Sequence, residues 1–184
     1  MSGEKVAHYR YGRKILEERG WTFQAVVVDG RRGLATVFQD IPTQICHFHQ
    51  MKTVTKYLTR RPETPAGQEL RSIMLTLTKS SEREFAGLLS SWHKQWRDFI
   101  SEKTEVLGTK HWYYTHKKIR SAYKSLETNL PFLFTYQKYP KLNIPNTTNT
   151  IDGYFASVKK KVAAHHGLRK DRRYRVISEL LKGG

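Results

Sequence analysis

The hydrophobic pattern of the chain includes an uncharged run rich in β-branched residues, residues 25–28, which is typical of a buried strand. We predict that this strand extends over residues 23–28 and that a second short strand covers residues 44–48. Helical spacing of apolar residues predicts helices before, between and after the two strands, over residues 3–19, 33–38 and 49–58. The first third of the chain is therefore predicted to be α/β.

The pattern changes after residues 60–65, a segment with two prolines that we interpret as a boundary. Apolar residues then recur at three-and-four spacing without a strand signal, which predicts an all-helical insertion. Ser81 and Glu84 form a capping box at the start of one of its helices. A further helix is predicted over residues 111–130, with Trp112 on its inward face.

Two tryptophans on the capped helix, Trp92 and Trp96, have two alternative roles. Both would stack on nucleic-acid bases if they were exposed. At helical spacing beside leucines, however, tryptophans are more often part of the core, and we favour that interpretation.

The last part of the chain passes through an irregular, proline-containing segment into two further helices. The second of them is predicted over about residues 172–182. The first has an apolar stripe that indicates packing on another element, formed by Ile151, Tyr154, Phe155, Val158 and Val162. We therefore predict three segments: a partial core over 1–60, the helical insertion over 61–135, and a return to the core over 136–184.

Composition indicates a polyanionic partner. Lysine and arginine number 33 against 16 acids, which gives a net charge of +17 and a pI of about 10.1. The bases are interleaved with 22 aromatic residues (10 Tyr, 8 Phe and 4 Trp), which favours a folded nucleic-acid-binding protein over a solvated tail. A basic surface with no specific partner is the alternative. Runs of 18 apolar residues and a signal peptide are lacking, so no membrane partner is expected. The single cysteine excludes an intrachain disulfide and fits a reducing compartment.

The candidate chemistry begins at Asp29 and Gly30, which directly follow the first predicted strand. An ionisable group at the carboxyl end of a buried strand lies where open α/β sheets usually bind ligands. By residue type alone, a purely structural role for Asp29, in which it starts a turn or caps the helix after Gly33, is equally consistent with the sequence. Cys46 lies within the second predicted strand, and His49 directly follows it.

Taken together, residues 26–49 resemble the second catalytic block of DDE transposases, in the branch of Mutator-like elements and their bacterial insertion-sequence relatives. That branch carries an apolar strand, Asp-Gly, a basic residue and Gly-Leu, followed by an amphipathic helix and Gln-x-Cys-x-x-His. The matching residues here are Val26, Val27, Val28, Asp29, Gly30, Arg32, Gly33, Leu34, Gln44, Cys46 and His49.

The C-terminal part carries the second half of this resemblance. In these transposases the third catalytic acid lies on a helix, within Thr-x-Asn-x-x-Glu, with an aromatic residue behind it. Residues 147–155, TTNTIDGYF, are similar, with Asn149 at the Asn position and Asp152 in place of the acid. Two departures matter: the acid is Asp rather than Glu, and the strand that carries the first catalytic Asp is absent from this sequence.

The resemblance implies a partial RNase H-like fold, as in retroviral integrases, interrupted by an all-helical insertion. It implies that Asp29 and Asp152 are catalytic and metal-binding residues, with Gly30, Cys46, His49 and Asn149 as family-motif residues. In the full family two Mg²⁺ or Mn²⁺ ions roughly 3.5–4 Å apart activate the nucleophile and stabilise the leaving oxygen. Because two acids form a poor cage, we expect weak metal binding and little or no catalysis by this chain alone.

Zinc is a weaker alternative for Cys46 and His49. Structural zinc needs four ligands, and with one cysteine the others would come from His47, His165 or His166. The resemblance implies instead that Cys46 and His49 shape the active-site side of the sheet. A buried cysteine and a hydrogen-bonded histidine with purely structural roles are equally consistent with the sequence.

Basic residues are concentrated near the end of the chain, where residues 138–184 hold eleven Lys or Arg against three acids. A charge run that is only solvated is the alternative to a binding surface. The expected DNA-binding residues are Arg31, Arg32, Lys159, Lys160, Lys161, Arg169, Lys170, Arg172 and Arg173.

These observations lead us to expect the C-terminal portion of a DDE-type transposase, which acts in DNA transposition and recombination by metal-dependent cleavage and strand transfer. The expected partners are DNA, as element ends and target, and further copies of the chain in a homodimer or higher oligomer. The expected location is the cytoplasm, in association with the nucleoid. Two alternatives stay open: a non-catalytic nucleic-acid-binding remnant of a transposase, and a metal-dependent RNase H-like nuclease.

Overall fold

The computed structural model describes residues 5–31 and 33–182, and of Lys182 only the backbone. In this range the protein is a mixed α/β structure with two small sheets. Its helices are α1 (Val6–Glu18), α2 (His47–Leu58), α3 (Pro65–Thr76), α4 (Glu82–Ser101), α5 (Lys117–Leu133), α6 (Thr135–Lys138), α7 (Asn149–Ala163) and α8 (Lys170–Lys182), with a 3₁₀ turn at Pro140–Leu142. Its strands are β1 (Val26–Val28), β2 (Thr43–Ile45), β3 (Lys103–Glu105) and β4 (Trp112–Tyr114). Among the residues described, no helix is both long and apolar enough to cross a bilayer.

The chain forms two compact units, one that ends at Thr147 and one that begins at Thr148. In the first unit, β1 and β2 form a parallel two-stranded sheet that pairs Val26 with Thr43, Val27 with Gln44 and Val28 with Ile45. The amide of Cys46 extends this ladder by donating to the carbonyl of Val28 at 2.8 Å. Both predicted strands are confirmed, although each is shorter than predicted. β2 ends early because α2 already begins at His47.

The helix predicted over residues 33–38 is wrong, because these residues form successive turns. The amides of Leu34, Val37 and Phe38 each donate to the carbonyl three residues earlier, at 3.0 to 3.3 Å. Gly33 has a φ of 86°, which is outside the right-handed helical region. Of the helix predicted over residues 3–19, residues 3 and 4 lie outside the described part, and α1 covers most of the remainder.

The core of the first unit is built by α2 to α5, and α5 also contacts β2. Its fully buried side chains include Val54, Leu70, Met74, Phe85, Leu126 and Leu133. Trp92 is buried among them and donates its indole N–H to the carbonyl of Ala66 at 3.0 Å. Trp96 is half-buried and donates to the Glu69 carboxylate at 2.7 Å. The structure thus confirms the core interpretation of Trp92 and packs Trp96 against the same core.

Helix α4 begins at the capping box that the sequence indicated. The Glu84 carboxylate accepts a hydrogen bond from the Ser81 amide at 2.8 Å, and the Ser81 hydroxyl oxygen accepts one from the Glu84 amide at 3.3 Å. The hydrogen bonds from the backbone and side chain of Ser81 lower the pKa of Glu84. The start of this helix is therefore fixed locally.

The expectation of a purely helical insertion is wrong at one place, because β3 and β4 form an antiparallel hairpin. The helix predicted from residue 111 begins at Lys117 instead, and Trp112 is 48% exposed rather than inward. Gly108, with a φ of 77°, reverses the chain, and the aromatic run from Trp112 to Tyr114 favours an extended backbone. Helical spacing at Trp112 was therefore coincidental.

The second unit is a helical hairpin of α7 and α8. The Tyr154 hydroxyl donates to the carbonyl of Leu180 at 3.0 Å, which joins the two helices. Val158 and Val162 are buried, as the predicted apolar stripe requires. Ile151, Tyr154 and Phe155, in the first half of the stripe, are exposed.

Candidate functional site

Asp29 is held in a tight turn directly after β1. One carboxylate oxygen accepts a hydrogen bond from the Arg31 amide at 3.0 Å, and the other lies 4.0 Å from the Arg31 guanidinium. The side chain is 37% exposed. The structural role left open by the sequence is therefore present as a turn, and the partly exposed carboxylate still has capacity for a further ligand.

Gly30 fixes the direction in which the chain leaves β1. Its φ of 78° is rarely adopted by residues with a side chain. A Cβ at this position would lie 3.3 Å from the Ile45 side chain and 3.8 Å from the Asn129 amide nitrogen. The backbone beside Asp29 is thus pressed between β2 and α5, which positions the carboxylate.

A polar cluster that the sequence did not indicate lies next to Gly30. The amide of Asn129 donates to Gln50 at 2.7 Å, and Gln50 in turn donates to the Ser125 hydroxyl at 3.1 Å. Gln50 lies on α2, whereas Ser125 and Asn129 lie on α5, 75 and 79 residues further along the chain. Only the packing of the two helices brings them together, so no local pattern signals the cluster.

Cys46 is completely buried directly after β2, and His49 is half-buried on the first turn of α2. The neighbouring His47 is buried and hydrogen-bonds the carbonyl of Leu133 at 2.6 Å. Burial lowers the pKa of His47, so the ring is neutral at physiological pH. These positions favour packing roles for Cys46 and His47. In the described ranges, no three His, Cys, Asp or Glu side chains are grouped closely enough to hold a metal ion.

Asp152 lies on the first turn of α7, in the second unit. Its carboxylate accepts a hydrogen bond from the Thr148 hydroxyl at 2.8 Å, and its amide donates to the Thr148 carbonyl at 2.9 Å. Asn149, the first residue of α7, is exposed. Asp29 and Asp152 belong to different units, and the prediction that their carboxylates meet stays a prediction.

The expected DNA-binding residues are mostly exposed. In the second unit these are Lys159, Lys160, Lys161, Arg169, Lys170, Arg172 and Arg173. Arg31 is exposed beside Asp29, whereas Arg32 lies outside the described residues. Seven exposed cations on a two-helix hairpin suit contact with phosphates. This charge pattern does not identify a particular protein.

Comparison of the chain with protein-family models, curated proteins and solved structures finds no match in any of the three. What the structure shows directly is therefore an α/β protein with a carboxylate after a parallel strand and a separate basic helical hairpin.

Proposed function

We propose that this chain is part of a DDE-type transposase with an RNase H-like core, and that it acts in DNA transposition. The observation that supports the proposal is the parallel pairing of β1 and β2, with Asp29 after one strand and Cys46 after the other. The carboxyl ends of parallel strands share one edge of the sheet, where ligands bind in open α/β folds. This arrangement agrees with the motif of residues 26–49 that resembles the second catalytic block of DDE transposases.

In the proposed reaction, Asp29 and Asp152 would hold divalent ions. Mg²⁺ or Mn²⁺ would activate the attacking hydroxyl and stabilise the leaving oxygen of the phosphodiester. The carboxylate of Asp29 is partly exposed and its turn leaves lone pairs free, which suits one ligand position. A hard cation needs about six oxygen ligands, so one carboxylate and water bind it weakly. We derive no catalytic step for this chain alone.

DNA binding is assigned to the exposed cations of α7 and α8. Lys159, Lys160 and Lys161 are consecutive, so they spread around α7 instead of sharing one face. Phosphate contacts of this kind are insensitive to base sequence and strongly weakened by salt. The proposed partner is therefore duplex DNA, held through its backbone.

The alternative of a non-catalytic DNA-binding remnant has one specific observation in its favour. Arg31 already engages both carboxylate oxygens of Asp29, through its amide and its guanidinium. The nearby guanidinium offsets part of the negative charge of this carboxylate, which weakens its attraction for a metal ion. The two functions differ in whether Asp29 binds a divalent ion at all.

The test is a Mn²⁺ titration of the whole chain, followed by electron paramagnetic resonance of the free ion. We expect weak binding that is lost in Asp29→Asn, because the amide removes the anionic ligand. Asp98→Asn is the matched control, since Asp98 is an exposed carboxylate on α4. If Asp29→Asn binds Mn²⁺ as well as the parent chain, the non-catalytic alternative replaces the transposase proposal.

A further inference from the structure

The hairpin of β3 and β4 carries an unusual group of exposed apolar side chains. Leu107, in its turn, is fully exposed, and Trp112 and Tyr113 on β4 are 48% and 52% exposed. Consecutive residues of a strand point to opposite faces, and Trp112 contacts Tyr114 at 5.2 Å between ring centroids, so the Tyr113 ring lies on the other face of the hairpin. The hairpin therefore presents a partly exposed aromatic ring on each of its two faces.

An open groove of about 540 Å³ runs beside the hairpin. Its walls are β4, the start of α5, and the segment that connects α2 to α3. Three tyrosines and three cations line it against a single carboxylate, that of Glu63. The tyrosines are Tyr57, Tyr113 and Tyr114, and the cations are Arg61, Lys117 and Lys118. We call this set the aromatic groove.

The wall formed by β4 and α5 is firmly held. The His116 ring stacks on Phe99 at 3.6 Å between centroids, and its Nε2 lies 2.9 Å from the Glu102 carboxylate. The Arg120 guanidinium lies 3.9 Å from the centre of the Tyr114 ring. These contacts fix the strand to α4 and α5, so the groove is preformed and a ligand loses little free energy in ordering it.

Charge identifies the kind of ligand. Residues 103–120 contain five Lys or Arg against one acid, Glu105. Within the described ranges, neither Lys117 nor Lys118 forms an ion pair with an acid, so both remain available to a polyanion. A flat anionic bilayer would meet the tip at Leu107 but not the concave wall. A duplex hides the faces of its bases, whereas a single strand offers both phosphates and flat rings.

We propose that the aromatic groove binds an unpaired stretch of DNA. The phosphates lie along Arg61, Lys117 and Lys118, and a base stacks on the exposed ring of Tyr113. The proposal goes beyond the transposase assignment, because the groove uses neither Asp29 nor the cations of α7 and α8. Binding of a single strand is independent of transposition, whereas the choice of DNA over RNA rests on the proposed function.

The test is fluorescence anisotropy of the whole chain with a labelled oligo-dT of about 20 nucleotides, a length that covers several stacking positions. Tyr113→Thr keeps a residue that favours strands but removes the ring. We expect it to weaken oligo-dT binding at least about fivefold, the lower end for loss of one stacked base. Tyr113→Phe should restore the affinity, and duplex binding should not change. Tyr11→Ala is the control, since Tyr11 is also exposed, at 68%, but lies on α1.

A second variant removes charge instead of a ring. The double substitution Lys117→Ala and Lys118→Ala should flatten the slope of log K for oligo-dT against log salt. Each lost phosphate contact removes about 0.7 from this slope for single strands, and up to about two contacts should be lost. These two side chains are exposed, so the variant retains the fold even if Tyr113→Thr does not. Lys94→Ala, on the exposed surface of α4, is its control.

Three results would overturn the proposal. The first is oligo-dT binding that neither variant weakens. The second is tighter binding of single-stranded RNA than of DNA of the same length. The third is binding to vesicles of phosphatidylserine that Leu107→Ser abolishes while oligo-dT binding is lacking. Failure here would leave the transposase proposal untouched, because that proposal predicts duplex binding through Lys159, Lys160 and Lys161.

Discussion

The guanidinium of Arg13 on α1 forms a two-pronged ion pair with Asp40, 27 residues along the chain, and also donates to the carbonyl of Val37 at 2.6 Å. Since α1 has no fully buried residue, this side chain is a principal attachment of the helix to the turn before β2. The hydrogen bonds from Arg13 lower the pKa of Asp40 to about 2.

The first prediction concerns this pair. Arg13→Lys should lower the melting temperature and release α1, because lysine cannot hold both carboxylate oxygens and the Val37 carbonyl together. The folded pKa of Asp40 is below its usual value of 3.8, so the stability that it contributes is present above about pH 4 and lost as the pH falls towards 2. Melting curves between pH 7 and pH 3 measure this. Lys14→Arg, an exposed neighbour on α1, should change nothing.

Gly30→Ala should destabilise the protein by more than about 1 kcal/mol, because alanine is strained at a φ of 78° and its methyl group would press on Ile45. Gly87→Ala on α4 is a control of opposite sign. No atom lies within 4 Å of its added methyl group, so it should stabilise by about 0.5–1 kcal/mol. Urea unfolding of the two variants gives the comparison, and equal effects would contradict the geometry at Gly30.

His47 should make the protein less stable in mild acid. Its folded pKa is lowered by burial, so its contribution is complete above its usual pKa of about 6.5 and is lost as the pH falls below that value. In His47→Asn, the slope of unfolding free energy against pH should be smaller by up to about 1.4 kcal/mol per pH unit, the value for one proton. The exposed His111→Gln is the control. An unchanged slope in His47→Asn would mean that other groups cause the acid sensitivity.

Charge reversal at Lys159, Lys160 and Lys161 should weaken duplex binding and flatten its salt dependence. Each lost phosphate contact removes about 0.9 from the slope of log K against log salt. The slope should therefore decrease by at most the value for about three contacts. Binding of a labelled duplex at several salt concentrations measures it. If the slope is unchanged, the duplex binds to a different face.

The transposase proposal requires that the carboxylates of Asp29 and Asp152 come within about 8 Å, because two-metal chemistry needs convergent acids. Spin labels on Asp29→Cys and Asp152→Cys would report the distance. The only native cysteine, Cys46, is completely buried and will not compete for the label. A narrow, short distance supports the shared site, whereas a long one excludes Asp152 as a partner of Asp29.

The sequence predicted what local patterns control. The valine run of β1 is uncharged and β-branched, and the capping box at Ser81 is a property of four residues, so both were identified correctly. The β3–β4 hairpin was missed because Trp112 fits helical spacing, and only Gly108 hints at the reversal. At the candidate site, the position of Asp29 and Gly30 directly after β1 was predictable from the valine run, but the Gln50–Asn129 contact depends on helices far apart in sequence.

The end of α5 shows what such distant contacts do. The Leu133 carbonyl, left without a helical partner, accepts hydrogen bonds from Gln44 at 2.8 Å and from His47 at 2.6 Å. The Gln44 side chain also accepts from the Tyr136 amide at 3.0 Å. Side chains of β2 and α2 thus act as the C-terminal cap of α5. Amide hydrogens in β2 and in the last turn of α5 should therefore exchange with solvent as one cooperative unit, since neither segment opens without releasing the other.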